Sequence, residues 1–152
     1  PDLRAEHAYV DAVGLRMVTQ PWIFDVLVTE NMFGDILSDV GAGLMGGMGM
    51  APSADIGDEH AVFQPCHGSA PDITGTGKAN PIATFLSGAM LLEWLGKEYN
   101  NASCQQAAQR IVTAVDAAFV DGKLIPFELG GDAGTMHIEN AVRDALESGA
   151  AP

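Results

Sequence analysis

Short apolar runs rich in β-forming residues alternate with helical stretches along this chain, and that alternation predicts an α/β fold. The run "WIFDVLVT" (22–29) predicts a largely buried strand, and "AVFQPC" (61–66) is a second strand candidate. The spacing of apolar residues predicts helices over 3–18, 32–45, 81–95, 104–120 and 136–147. Two strands are too few for a complete doubly wound sheet, so we expect the chain to belong to a larger structure.

Glycine and proline separate these elements. Residues 46–57 are too rich in both to form a helix and predict a connection, while 67–81 predict a loop. Residues with capping preferences mark three helix ends, namely a start at Asn80-Pro81, an end at Gly96 and a start at Ser103.

The charge balance excludes several classes of partner. Among 152 residues the acidic side chains outnumber the basic ones 20 to 7, which gives a net charge of −13. Nucleic acids and anionic membrane surfaces require basic patches, so we expect neither as a partner. We see no signal peptide or membrane-spanning segment, and no initiator Met, so we expect part of a longer, cytoplasmic protein. Cys66 and Cys104 lack metal-ligand spacing and are expected to be reduced thiols.

The stretch "FGDILSD" (33–39) places Asp35 and Asp39 four residues apart on a predicted helix. Like charges at that spacing repel each other by a few tenths of a kcal/mol. Two carboxylates on one helix face suit a hard divalent cation such as Mg²⁺ or Mn²⁺, which would cancel the repulsion. The same spacing is also typical of a solvated acidic face, and it gives no reason to bring Asp11 to the same ion.

The loop "HGSAPDITGTGKANP" (67–81) matches neither the GxGxxG dinucleotide fingerprint nor a P-loop. Its glycines allow a backbone to approach a ligand closely. Asp72 is able to accept hydrogen bonds from two vicinal ribose hydroxyls, and His67 is able to stack on a base or hydrogen-bond to it. A plain connection between a strand and a helix explains the same composition.

Together, "FGDILSDVGAGLMGGMGMAPSADIG" and "HGSAPDITGTGKANP" resemble the β-decarboxylating dehydrogenases, which include isopropylmalate, isocitrate, homoisocitrate and tartrate/D-malate dehydrogenases. The likeness runs from about Tyr9 to "LGGDAGT" (129–135). It implies the C-terminal portion of the isocitrate/isopropylmalate dehydrogenase fold, a mixed sheet flanked by helices. Residues 1–45 would end the small, dimer-forming domain with its metal aspartates. Residues 46–152 would form the C-terminal part of the large domain with the NAD adenosine loop.

The resemblance implies a metal site shared between two subunits of a homodimer. Asp35 and Asp39 match the two metal-binding aspartates of the family's "GDxxSD" motif. Asp11, in "YVDA", matches the aspartate that the partner subunit lends to the same Mg²⁺ or Mn²⁺. In the family this ion chelates the hydroxyl and carboxylate of a 2-hydroxy acid.

The resemblance also implies NAD as the cofactor. The residues that match the family's adenosine-binding loop are His67, Gly68, Ser69, Ala70, Asp72, Ile73 and Asn80. Asp72 matches the aspartate on the adenosine ribose, whereas NADP-using bacterial isocitrate dehydrogenases carry a Lys-Tyr pair at 72 and 73. Gln64 departs from the pattern, because many members carry a glutamate there, near the nicotinamide.

The activity implied is oxidation, usually with decarboxylation, of an (R)-malate-type 2-hydroxy acid such as 3-isopropylmalate, isocitrate or tartrate. The family's catalytic Tyr and Lys and its substrate-binding arginines lie upstream of "YVDA". We therefore expect no catalytic residue within this chain and no activity from the chain alone. The alternative is a non-catalytic subunit or fragment that keeps the fold as an interaction module. A third reading is an aspartate-rich metal-binding domain of unrelated chemistry, which leaves the glycine loop unexplained.

Overall fold

A computed structural model describes residues 3–149, which separate into two compact units after Met45. The helices and strands, in chain order, are α1 (Val10–Thr19), α2 (Asn31–Leu44), β1 (Pro52–Ile56), β2 (Ala61–Pro65), α3 (Ile82–Glu98), α4 (Ala102–Phe119) and α5 (Thr135–Ser148). Single turns of 3₁₀ helix lie at Pro21–Ile23, Met48–Met50, Pro71–Ile73 and Phe127–Leu129.

The first unit is built on α1 and α2, which pack against each other. Its buried side chains are Val13 on α1 and Leu37 on α2, together with Ala42 one turn further on. The helix predicted over 3–18 begins only at Val10, so its first seven residues are a wrong prediction. Residues 3–9 are all exposed, and a short segment with no apolar face to bury does not hold a helix in water.

The strand predicted over 22–29 is wrong. Pro21–Ile23 form a 3₁₀ turn, and residues 24–30 adopt no regular structure. The apolar side chains of this run other than the half-buried Phe24 are exposed, with Val28 at 94%. A strand needs a neighbour to accept and donate its backbone hydrogen bonds, and residues 3–149 supply none to this segment.

The second unit contains an antiparallel hairpin of β1 and β2. Its register runs from Pro52 opposite Pro65 to Ile56 opposite Ala61, so both prolines lie at the open end of the ladder. The predicted strand at 61–66 is confirmed in position. The irregular connection predicted over 46–57 is wrong for its second half, which forms β1 because β2 lies beside it to pair with.

Helices α3, α4 and α5 enclose the core of the second unit. The buried residues of this core are Ile82, Ala114, Val115, Ala133, Ile138 and Val142. A Cβ at Gly96 would lie 2.5 Å from Gln105 Cγ and 3.0 Å from the Gln105 backbone nitrogen, so α3 and α4 approach closely there. Gly96 therefore serves this contact inside α3 and does not end the helix, which corrects its predicted role as a stop.

The cap of α4 also differs from the prediction. Asn101 Oδ1 accepts hydrogen bonds from the Ser103 backbone N–H at 3.0 Å and from the Cys104 backbone N–H at 3.3 Å. Asn101, two residues earlier than Ser103, thus satisfies two of the free N–H groups at the helix start. Between residues 3 and 149, no helix is long and apolar enough to cross a bilayer.

Candidate metal and cofactor sites

Two of the predicted metal aspartates lie on α2. Asp35 and Asp39 are both exposed, and their spacing puts them on one face of the helix with Cβ atoms about 5–6 Å apart. Neither carboxylate makes a hydrogen bond or ion pair within the described residues, although the Asp35 carbonyl accepts from Ser38 Oγ at 3.0 Å. Carboxylate oxygens of this kind suit a hard divalent cation.

Asp11 lies in the first turn of α1, exposed, with Oδ1 accepting from the Ala12 backbone N–H at 2.8 Å. Across residues 3–149, no three His, Cys, Asp or Glu side chains form a group able to hold a metal ion. The structure therefore brings Asp35 and Asp39 together on one helix and does not bring Asp11 of the same chain to them. The ligand set within one chain is of the right chemistry but incomplete.

The predicted cofactor loop begins at His67, which is half-buried. Its Nδ1 lies 2.9 Å from the Gly68 carbonyl oxygen, which only accepts, so Nδ1 is the donor of this hydrogen bond. Ser69 is exposed, and Ala70 follows in the left-handed region with φ of +44°. Left-handed backbone is uncommon for a residue with a Cβ, and here it turns the chain into the Pro71–Ile73 turn.

Asp72 occupies the exposed turn that this bend creates. Its carboxylate makes no hydrogen bond or ion pair to residues 3–149. The next residue, Ile73, is half-buried, and its carbonyl accepts from the Thr76 hydroxyl at 2.7 Å and the Thr76 N–H at 3.1 Å. The loop is therefore ordered by its own backbone, while the Asp72 carboxylate stays available to an outside donor.

The far end of the loop is held by the start of α5. The Thr135 N–H donates to the Gly77 carbonyl at 2.8 Å, and its hydroxyl donates to the Ala79 carbonyl at 2.5 Å. A Cβ at Gly134 would lie 2.5 Å from the Gly77 carbonyl oxygen, so glycine permits this approach. The Lys78 ammonium lies 5.2 Å from the centroid of the Phe127 ring.

Asn80 ends the loop with its side chain turned into the protein, where the residue is 8% exposed. Its Nδ2 donates to Glu128 Oε1 at 2.8 Å and lies 3.2 Å from Met50 Sδ. Its Oδ1 accepts from the Ile82 backbone N–H at 3.1 Å, so Asn80 caps the start of α3 as predicted, although the helix begins at Ile82 and not at the predicted Pro81. Both polar atoms of this side chain are committed inside the protein.

Sequence reasoning missed Glu128 and Thr135. Glu128 is hydrogen-bonded to a residue 48 positions earlier, and Thr135 to one 56 positions earlier. A local sequence pattern does not reveal contacts at such a separation. The glycines of "LGGDAGT" were the available signal, because they indicate a backbone packed closely against another segment. Gln64, the departure noted in the sequence, lies on β2 opposite Ser53 with its side chain exposed.

Of the basic side chains, Lys78 lies on the loop over 67–80 and six lie outside it. Four form exposed ion pairs with acidic neighbours, namely Arg4, Lys97, Lys123 and Arg143. The hydrogen bond from the Lys123 ammonium lowers the pKa of the Asp121 carboxyl and is matched by a raised pKa of Lys123. This pair follows α4, outside the predicted site residues.

Comparisons with known proteins bear on the whole chain. Residues 1–142 match the family model for isocitrate/isopropylmalate dehydrogenase. A 3-isopropylmalate/3-methylmalate dehydrogenase of Methanocaldococcus jannaschii is 48% identical over 141 residues, which are 93% of this chain and 40% of that protein. An isocitrate/homoisocitrate dehydrogenase of Thermus thermophilus is 49% identical over 148 residues, 97% of this chain and 42% of that protein.

A solved structure shows the same likeness. The crystal structure of isocitrate dehydrogenase from Methylococcus capsulatus superposes with a TM-score of 0.79 at 45% identity, covering 90% of this chain and 39% of that one. The chain therefore spans about two-fifths of the length of these relatives.

Proposed function

Because this chain belongs to the isocitrate/isopropylmalate dehydrogenase family, we propose that it forms part of a metal- and NAD-dependent dehydrogenase. The complete enzyme oxidises an (R)-malate-type 2-hydroxy acid, such as 3-isopropylmalate, isocitrate or tartrate, with decarboxylation of the product. The names of the relatives, which specify isopropylmalate, methylmalate, isocitrate and homoisocitrate dehydrogenases, support this substrate class.

The observation that carries the proposal is the state of Asp72. Its carboxylate is exposed, makes no hydrogen bond within residues 3–149, and follows the left-handed Ala70 on a loop that Thr135 anchors. A carboxylate so presented suits two vicinal hydroxyls of a ribose, each of which donates one hydrogen bond. The role we assign to Asp72 is to bind and orient the adenosine end of NAD.

The second part of the proposal concerns the aspartates. Asp35 and Asp39 hold a Mg²⁺ or Mn²⁺ ion, and the third carboxylate is Asp11 of a second copy in a homodimer. When bound, such an ion supplies Lewis-acid stabilisation of negative charge on substrate oxygens. The chain's own aspartates provide the anionic oxygens that fix the ion beside the substrate.

The small number of unpaired basic side chains in this chain supports a metal ion at Asp35 and Asp39. The substrate class is dianionic or trianionic, while four of the seven basic side chains of this chain are paired with acids. A bound divalent cation, with basic residues from the rest of the enzyme, supplies the missing positive charge.

The test is an assay of the complete protein with NAD, Mg²⁺ and a panel of malate derivatives, with NADH formation and CO₂ release measured together. We expect both products in equal amounts from at least one substrate, and their loss on chelation of the metal. A protein that binds the metal and NAD but turns over none of the panel would contradict the proposal and favour the non-catalytic alternative.

A further inference from the structure

We propose that Glu128 is a positioning residue for the cofactor loop, acting through Asn80. The inference deepens the proposed function and rests on the loop over 67–80 being the NAD adenosine site. Glu128 lies in the 3₁₀ turn Phe127–Leu129, and its carboxylate accepts a hydrogen bond from Asn80 Nδ2 at 2.8 Å across 48 residues of chain.

Glu128 is exposed as a residue, but its carboxylate lies close to the backbone of the turn over 47–49. A Cβ at Gly49 would lie 2.5 and 2.7 Å from the two Glu128 carboxylate oxygens and 2.8 Å from Asn80 Cβ. A Cβ at Gly47 would lie 3.6 Å from Glu128 Cδ. A side chain at 49 would crowd this position, whereas one at 47 would only touch it at ordinary contact distance, so the backbone at Gly49 lies directly against the Glu128 carboxylate.

The hydrogen bond fixes the orientation of Asn80. With Nδ2 held by Glu128, Oδ1 points at the Ile82 N–H and accepts from it at 3.1 Å, which joins the end of the loop to the first turn of α3. Thr135 holds Gly77 and Ala79 of the same loop. Two residues of one C-terminal segment, 127–135, therefore set where the loop ends.

Each polar atom of the Asn80 side chain already has a partner within the protein, so we argue that Glu128 influences NAD through the position of the loop. Replacing Glu128 by Ala leaves Asn80 Nδ2, on a residue 8% exposed, with a thioether sulfur as its remaining partner. Sulfur is a weak acceptor, so the Asn80 amide gains by turning elsewhere and releasing the Ile82 N–H. The end of the loop then becomes mobile, and the residues of the loop no longer contact NAD all at the same time.

The first measurement needs no cofactor. In the complete protein without NAD, we expect Glu128→Ala to speed hydrogen exchange of the Ile82 amide about tenfold. Glu128→Gln, which keeps an acceptor oxygen, should restore exchange to within about threefold of the unaltered protein. Val115→Ala, a core change in α4, is the matched control for general destabilisation.

Exchange that rises no more at Ile82 than at the core amides in Glu128→Ala, or that Val115→Ala reproduces, would overturn the inference. The Gln variant keeps the test decisive if the Ala variant fails to fold. Fast exchange of the Ile82 amide in Glu128→Gln, which keeps an acceptor oxygen, would show that this hydrogen bond is not what holds Asn80.

The second measurement concerns NAD. We expect Glu128→Ala to raise the Kd and KM for NAD about tenfold, with kcat and the KM of the hydroxy acid within about twofold. Unchanged NAD affinity in a variant whose loop has loosened would overturn the coupling to the cofactor. Failure of the unaltered protein to bind NAD would instead defeat the proposed function, while the exchange experiment still decides whether Glu128 holds the loop.

Discussion

Asp72 and Lys78 lie six residues apart on the same loop with opposite charges, and they bear oppositely on cofactor choice. A carboxylate against the ribose favours NAD, whereas a nearby ammonium would favour the 2′-phosphate of NADP. The structure seats the Lys78 ammonium over Phe127, 5.2 Å from the ring centroid, and leaves the Asp72 carboxylate exposed. This arrangement favours the influence of Asp72.

We therefore expect the complete enzyme to prefer NAD. The 2′-phosphate would repel Asp72 and remove the hydroxyl donors it accepts from, and a charged hydrogen bond is worth about 1.5–3 kcal/mol. The ratio of kcat/KM for NAD over NADP should be about ten to a hundred. Asp72→Lys should shrink or reverse that ratio, and Asp58→Lys, an exposed site in the β1–β2 turn, is the charge-matched control. Equal kcat/KM for NAD and NADP in the unaltered enzyme would show that Asp72 does not bind the ribose.

A second prediction for single residues concerns the metal-binding aspartates on α2. In the complete enzyme, Asp35→Asn should weaken Mn²⁺ binding about tenfold or more, because a hard cation loses an anionic oxygen ligand. Asp39→Asn should act in the same way. Asp116→Asn, an exposed aspartate on α4, should leave the Mn²⁺ titration unchanged. If Asp35→Asn also leaves it unchanged, the α2 pair is a solvated acidic face and nothing more.

At the scale of single residues, sequence patterns predicted where the site residues lie but did not predict which distant residues they contact. Asp35 and Asp39 were predicted to share a helix face, and α2 provides it, because a spacing of four residues is a property of the helix itself. Asn80 was placed correctly at the start of α3, but its dependence on Glu128 was invisible. That hydrogen bond exists only because the tertiary fold brings the turn at Phe127–Leu129 to the loop.

At the scale of elements, the predictions succeeded where an element supplies its own hydrogen bonds. The helices α2, α3, α4 and α5 were found close to their true bounds, and the observed relatives confirm the predicted family and α/β fold class. The strand prediction at 22–29 failed because a strand is completed by a neighbour. Within residues 3–149 the sheet is the two-stranded hairpin, so the mixed sheet expected from the resemblance is not assembled by this part of the chain.

The contact of α3 with α4 gives a prediction that opposes helix propensity. Gly→Ala inside a helix normally gains up to about 1 kcal/mol. At Gly96 the new Cβ would meet the backbone nitrogen of Gln105 at 3.0 Å, so we expect Gly96→Ala to lower the free energy of unfolding by about 1–3 kcal/mol. Gly88→Ala, on the same helix with nothing within 4 Å, should raise it. Urea denaturation of both variants provides the comparison, and stabilisation by Gly96→Ala would contradict the close packing.

At the scale of the whole molecule, the chain spans about two-fifths of the length of the dehydrogenases that it matches. The catalytic Tyr and Lys that the family resemblance implies lie outside its 152 residues. The first unit exposes several large apolar side chains, since Tyr9, Trp22 and Val26 are each at least 78% exposed.

We therefore expect the 152-residue chain alone to show no dehydrogenase activity with Mg²⁺, NAD and the malate panel. The complete protein in the same assay is the positive control. Turnover by highly purified chain, free of any host dehydrogenase, would show that the proton-transfer groups lie within these residues.

The anchoring of the cofactor loop from 127–135 has a consequence for synthesis on the ribosome. The loop is translated first, and the residues that hold its end follow 48 and 56 positions later. At about 5–20 residues per second, the loop leaves the peptidyl-transferase centre roughly 3 to 10 seconds before its anchors exist. A nascent chain halted before Phe127 therefore contains every residue of the loop but lacks both residues that hold its end. On the proposed function, we expect the complete NAD site only once the segment ending at Thr135 has emerged and docked.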